Sequence, residues 1–137
     1  MKSRSFLEKF GFAFQGLKQT LHTETNFRIH VIFAAGAIGT LVLLKPEPIW
    51  WAVFFLIISS VLAAELFNTA LESLADRVHP DLHPLIAKAK NASAAAVLVL
   101  ALAALGIFST LVYQKLSANQ GKATRTTEMA QQLHDTA

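Results

Sequence analysis

Three acids and a carboxamide recur at helical spacing in Glu65-Leu66-Phe67-Asn68-Thr69-Ala70-Leu71-Glu72-Ser73-Leu74-Ala75-Asp76, directly after the uncharged run Ile49 to Ala64. At about 100° of turn per residue, positions 65, 68, 72 and 76 share an arc of roughly 80° on one helix. Ionisable groups at membrane depth are costly, so their default reading is functional. Carboxylates at such a border suit Mg²⁺, which is usually held by one or two carboxylates together with the phosphates of a phosphoryl-transfer substrate. Glu24 and Glu72 are the candidate ligands. Lys90 is a candidate for neutralising phosphate charge, and Asn68 for donating a hydrogen bond to a phosphate oxygen. Glu65, nearest the apolar run, is the candidate general base for a lipid hydroxyl. The same residues can instead serve structure, with Glu65 and Glu72 pairing with Arg77, Lys88 or Lys90 to hold helices together. No glycine-rich phosphate loop or protein-kinase signature is present, so a nucleotide site in this chain has to be unorthodox.

What positions these residues is a membrane scaffold. With 53% hydrophobic and 15% charged residues in 137, the chain fits an integral membrane protein of one domain better than a small soluble fold. Three apolar runs stand out: Ile29 to Leu44, Ile49 to about Ala64, and Ala92 to Tyr113. The first two are about 16 residues long against the roughly 20 a span needs, and both have room to extend. Spans are therefore expected at about 27–44, 49–76 and 88–114. Lys45-Pro46-Glu47-Pro48 is the turn between the first two, because its prolines cannot continue a helix. Trp50 and Trp51 follow at once and read as lipid-facing anchors of an aromatic belt. The small residues of the third span, among them Ala92, Ala94 to Ala96, Ala101, Ala103, Ala104 and Gly106, read as a close packing surface.

Phe6, Phe10, Phe14, Leu17 and Leu21 recur at helical spacing with Glu8, Lys9, Gln15 and Gln19 between them, the pattern of an amphipathic surface helix over about 4–22. Glu8 and Lys9 also interrupt the apolar region that a cleavable signal needs, and no such signal is expected. Lys2, Arg4, Lys9, Lys18 and Arg28 precede the first span, and Arg77, Lys88 and Lys90 lie between the second and third, whereas the short turn carries only Lys45. Positive-inside places the N-terminus and the acidic face in the cytoplasm and the C-terminus outside. Residues 1–115 form the membrane unit. Residues 116–137 turn polar and are expected to be disordered or at best a loose helix.

Other chemistries are excluded or weakened. There are no cysteines, so disulfides and thiolate metal sites are impossible. The net charge of +3 is scattered around apolar runs, which argues against nucleic acid as a partner. His22, His30, His79, His83 and His134 lack the tight spacing of a soft-metal site and read as interface histidines.

The string E-x-x-N-T-A-x-E-x-x-x-D at Glu65 to Asp76, followed by His83-Pro84-Leu85, Ala89-Lys90 and Ala94-Ala95-Ala96-Val97-Leu98, closely resembles the prokaryotic diacylglycerol kinase and undecaprenol kinase family. Upstream, Glu24-Thr25-Asn26-Phe27-Arg28-Ile29-His30 resembles the start of that family's first span, and the likeness covers about residues 5 to 115. It implies an all-α integral membrane homotrimer in the inner membrane, each protomer with a surface helix and three spans, with active sites between subunits near the cytoplasmic interface. It implies an ATP- and Mg²⁺-dependent kinase acting on a membrane lipid alcohol, diacylglycerol or undecaprenol. Glu65 resembles the catalytic base, Glu24 and Glu72 the metal-bridging carboxylates, and Asn68 and Lys90 the phosphate-handling residues. Asp81, Leu82 and His83 match the loop that meets the nucleotide. Phe12 stands where some members have a tyrosine, keeping the ring and losing the hydroxyl. Where the family usually reads Ala-Lys-Asp, this chain reads Ala89-Lys90-Asn91, replacing a carboxylate of the nucleotide region by an amide that accepts hydrogen bonds without carrying charge. Arg28-Ile29-His30 is closer to undecaprenol-type members, while Asp76-Arg77 also occurs in diacylglycerol-type ones. The competing reading is a catalytically weak or silent member acting as a membrane assembly or small helical transporter.

Overall fold

The structure, a computed structural model, describes residues 5–78 and 83–135. It consists of four helices: α1 (Phe6–Thr23), α2 (Thr25–Leu44), α3 (Pro48–Val78) and α4 (Pro84–Asp135). The last three are long and apolar enough to cross a membrane, over Thr25–Leu44, Pro48–Val78 and Pro84–Gly121. This is the surface helix and three spans that the periodicity and the apolar runs imply.

Each boundary has a local cause. A capping box starts α1: Ser5 Oγ accepts from the Glu8 amide at 3.3 Å while the Glu8 carboxylate accepts from the Ser5 amide at 2.9 Å. Glu24 adopts extended backbone and serves both as C-cap of α1, donating its N–H to Thr20 O at 2.9 Å, and as N-cap of α2. Arg28 pins this joint. Its Nη1 donates to the His22 carbonyl and its Nη2 to Thr25 Oγ1, both at 2.9 Å, satisfying a carbonyl that the end of α1 leaves open. At the other end of α2, Lys45 takes the left-handed conformation (φ 43°) and its N–H closes on Leu41 O at 3.0 Å. Pro48 and Pro84 each occupy the first position of a helix, where the missing N–H costs nothing.

The helices lock together at the turn end, around Leu41, Phe54 and Leu111, with Trp50, Ile107 and Phe108 packed against them. Phe54 stacks at a tilt on Trp50 (6.4 Å between centroids) and edge-on to Phe108 (6.3 Å). Trp50 is therefore a core residue rather than a lipid-facing anchor, whereas Trp51 does face outward. Adjacent helical residues point about 100° apart, so only one of the pair can face lipid. The small residues of α4 also divide by face: Ala94, Ala95 and Ala96 are exposed, while Ala101 and Ala104 line an apolar groove between the helices.

Beyond Tyr113 the described residues take the helical alternative to disorder, α4 continuing unbroken to Asp135. Polar composition alone does not break a helix. No proline follows Pro84, Gly121 is the one strong breaker, and Ala118, Gln120, Arg125, Glu128, Met129, Gln131, Gln132 and Leu133 favour continuing a helix already nucleated in the span.

Candidate active site

The opposite end of the bundle is polar. Because α3 runs through Asp76 without a break, Glu65, Asn68, Glu72 and Asp76 lie along one face. That face looks toward α2 and α4. Glu65 is only 4% exposed, and its Oε1 lies 3.1 Å from Nε2 of the half-buried His30 on α2, a contact that becomes an ion pair when the imidazole is protonated. One turn on, Asn68 is also buried, at 9% exposure. Its Nδ2 donates to Glu72 Oε1 at 3.2 Å, while its Oδ1 accepts from Ser93 Oγ on α4 at 2.6 Å. Ser93 Oγ also lies 2.8 Å from the carbonyl of Lys90. The Lys90 ammonium donates to Asp76 Oδ1 at 2.7 Å. Among the described residues, then, Glu65 and Glu72 do not form the ion pairs with Arg77, Lys88 or Lys90 that a purely structural role called for; the lysine is held by Asp76 instead. Both members of that pair are substantially exposed, so the lysine is readily exchanged onto another anion such as a phosphate.

Glu24 reaches the site from the α1–α2 joint, with its Oε1 accepting from Thr23 Oγ1 at 3.1 Å. Glu24 and Glu72 both act electrostatically on Glu65, and Glu72 also acts on Lys90, so carboxylates from two chain segments converge on one region. Among the described residues no group of three His, Asp or Glu side chains is close enough to hold a metal alone. The donor set still fits Mg²⁺, which prefers all-oxygen ligands and completes its shell with water and substrate phosphates. In that role Glu24 and Glu72 would hold the ion.

The remaining expected nucleotide residues are less tightly assembled. Phe12 is exposed on α1, at 52%. His83 caps the start of α4, its Nδ1 accepting from the Leu85 amide at 3.2 Å. Asn91 is exposed beside Lys90, turned by one residue from the Lys90–Ser93 face. Asp81 and Leu82 lie outside the described residues. Conversely, the structure adds two residues to which the spacing gave no part, His30 and Ser93, and it gives Asp76, placed on the acidic face by its spacing, the part of holding Lys90. Ser93 was findable, since it follows Lys90 by three positions and so shares its helix face.

Below this polar end, α2, α3 and α4 form an apolar groove of about 690 Å³, open on one side. His30 borders its polar end, and Val61, Leu62, Ala104 and Phe108 are among its walls.

A profile of the family described as prokaryotic diacylglycerol kinase matches residues 11–112. The chain belongs to this family. This prokaryotic diacylglycerol kinase family member is 36% identical over 96 residues to an undecaprenol kinase of Bacillus subtilis, covering 70% of this chain and 78% of that one. It is 37% identical over 113 residues to a diacylglycerol kinase of Synechocystis, covering 82% of this chain and 65% of the relative. A diacylglycerol kinase of Haemophilus influenzae is 36% identical over 99 residues, 70% and 80% of the two chains. The protein is a membrane lipid kinase. The match ends before the polar extension of α4, which is additional to the family unit.

Proposed function

We propose that this family member transfers the γ-phosphate of ATP to the hydroxyl of a membrane lipid alcohol, diacylglycerol or undecaprenol, at the polar end of the bundle. The observation that carries the reading is the buried carboxylate of Glu65, set between an apolar groove and a group of phosphate- and cation-binding side chains. Glu65 accepts the proton of the lipid hydroxyl as its oxygen attacks the γ-phosphorus. The bond from the γ-phosphorus to the β,γ-bridging oxygen breaks, and ADP leaves. Lys90 exchanges Asp76 for a phosphate oxygen, and Asn68 directs its amide toward the same region. Mg²⁺, when bound, neutralises the phosphate charge that develops in transfer. Glu24, at the α1–α2 joint, and Glu72, on α3, would hold it. Phe12, Asp81, Leu82, His83 and Asn91 complete the nucleotide contacts.

Basic residues cluster at the polar end of the spans, which supports a cytoplasmic N-terminus in the inner membrane, ATP arriving from that side and the α4 extension lying outside. Outward-facing apolar side chains such as Ile32, Phe33, Phe55 and Leu56 support lipid contact and assembly as a homotrimer. The test is phosphorylation of diacylglycerol and of undecaprenol by the purified protein, in detergent and in lipid, with ATP and Mg²⁺ each omitted in turn. Turnover of either alcohol that depends on both is expected. A protein inactive on every lipid alcohol, and not rescued by Asn91→Asp, overturns the reading in favour of an assembly or transport role.

A further inference from the structure

We infer that Ser93 is a positioning residue for the cation-binding carboxylate, acting on Glu72 through Asn68. The inference rests on the assignment of Glu72 to Mg²⁺ made above.

The chain of contacts has one consistent polarity. An ionised carboxylate only accepts hydrogen bonds, so the Asn68 amide must turn its Nδ2 toward Glu72 Oε1, as it does at 3.2 Å. That orientation obliges Oδ1 to face α4, where Ser93 Oγ stands 2.6 Å away. Ser93 has one proton and two acceptors within reach, the Asn68 oxygen and the Lys90 carbonyl at 2.8 Å. The shorter contact is to Asn68. A serine on α4 thereby fixes the direction of an amide on α3, and the amide occupies Oε1 of Glu72 and leaves Oε2 for a cation. Outer partners of this kind orient metal ligands, and losing one typically costs metal affinity about 10- to 100-fold. The bond also has a geometric consequence for the other charge in the site. Ser93 stands one turn after Lys90 on α4, so its bond to Asn68 sets the phosphate-handling lysine and the cation-handling carboxylate in a single register between α3 and α4.

The test uses the full-length protein in lipid without nucleotide, with Mn²⁺ as the probe of the Mg²⁺ site, free ion being followed by electron paramagnetic resonance. Ser93→Ala is expected to weaken Mn²⁺ binding roughly tenfold or more. Ser93→Thr, which keeps the hydroxyl, should stay within about twofold of the native protein, and Ser93→Cys, a poor donor of similar size, should resemble Ser93→Ala. In the Glu72→Gln background, Ser93→Ala should have little further effect, because both changes act on one ligand. Thermal unfolding is recorded in parallel, and it distinguishes positioning from a plain helix-to-helix tie. Loss of thermal stability in the Ala and Cys variants with native Mn²⁺ affinity overturns the inference, provided Glu72→Gln does weaken binding. Native Mn²⁺ affinity in Glu72→Gln as well overturns the Glu72 assignment itself, and the role of Ser93 falls with it.

Discussion

The two ends of the bundle solve opposite problems with the same three helices. At the turn end, Leu41, Phe54 and Leu111 are 0–3% exposed and join α2, α3 and α4 by shape alone. At the other end the same helices meet through His30–Glu65, Ser93–Asn68 and Lys90–Asp76, each a contact between polar groups. In lipid, apolar side chains gain little by leaving one hydrocarbon environment for another, so the turn end is held by close packing. The polar end is directional. Its hydrogen bonds constrain which atom faces which, and that is what phosphoryl transfer needs from a scaffold. One end therefore sets distance between helices and the other sets chemistry.

This contrast breaks most sharply at Glu65. Glu65→Gln is expected to lower turnover by about 10² to 10⁴ while ATP binding stays near native, because the base acts on the lipid hydroxyl and other groups hold the nucleotide. Native turnover in the lipid assay would remove Glu65 from the role of base. Next in size, Glu24→Gln and Glu72→Gln should each weaken nucleotide affinity and raise the Mg²⁺ requirement, by about 10- to 100-fold. Combined, they should fall well short of the product of the single effects, since residues sharing an ion act as a unit. Strictly additive losses in titrations of Mg²⁺ would reassign both as structural carboxylates.

At the turn end, Leu111→Ala should cost about 1–2 kcal/mol of stability, less than the 2–5 typical of cores formed in water, because the lost contacts matter but the transfer from water does not. Turnover per folded molecule should be unchanged. A melting temperature that holds while turnover collapses would erase the division between the ends. The smallest effect is reserved for Asn91→Asp, expected to change the rate by less than about tenfold, or roughly 1.4 kcal/mol of barrier. A rise far beyond tenfold would mean that the missing charge limits the native chain.

Much of the scaffold was legible because lipid imposes long apolar helices and prolines mark where they stop. The place of the Lys45–Pro48 turn and the acidic face of α3 follow from composition and a 100° period. What a single sequence leaves open is rotation of one helix against another. Nothing in the spacing of α2 turns His30 toward Glu65, and nothing in the paired tryptophans says that Trp50 rather than Trp51 enters the core. Ser93 carries a signal only once Lys90 has fixed which face of α4 matters. For the extension of α4 the sequence left disorder and a loose helix both open, because polarity tells whether a segment has a core to join, whereas continuation of a helix depends on local propensity and an existing nucleus.

The tight joint between α2 and α3 has a consequence for how such a chain enters a bilayer. Lys45 reverses direction in a single left-handed residue, and the turn itself carries two charged side chains, Lys45 and Glu47, of opposite sign. Two helices joined so closely can slip into lipid together as one needle, carrying a nearly neutral tip across. In the proposed orientation, with the C-terminus outside, the extension of α4 would take Lys115, Lys122, Arg125, Glu128 and Asp135 through the same barrier. On that topology the last helix, and not the first pair, is the step at which biosynthesis of this chain would meet its highest electrostatic toll.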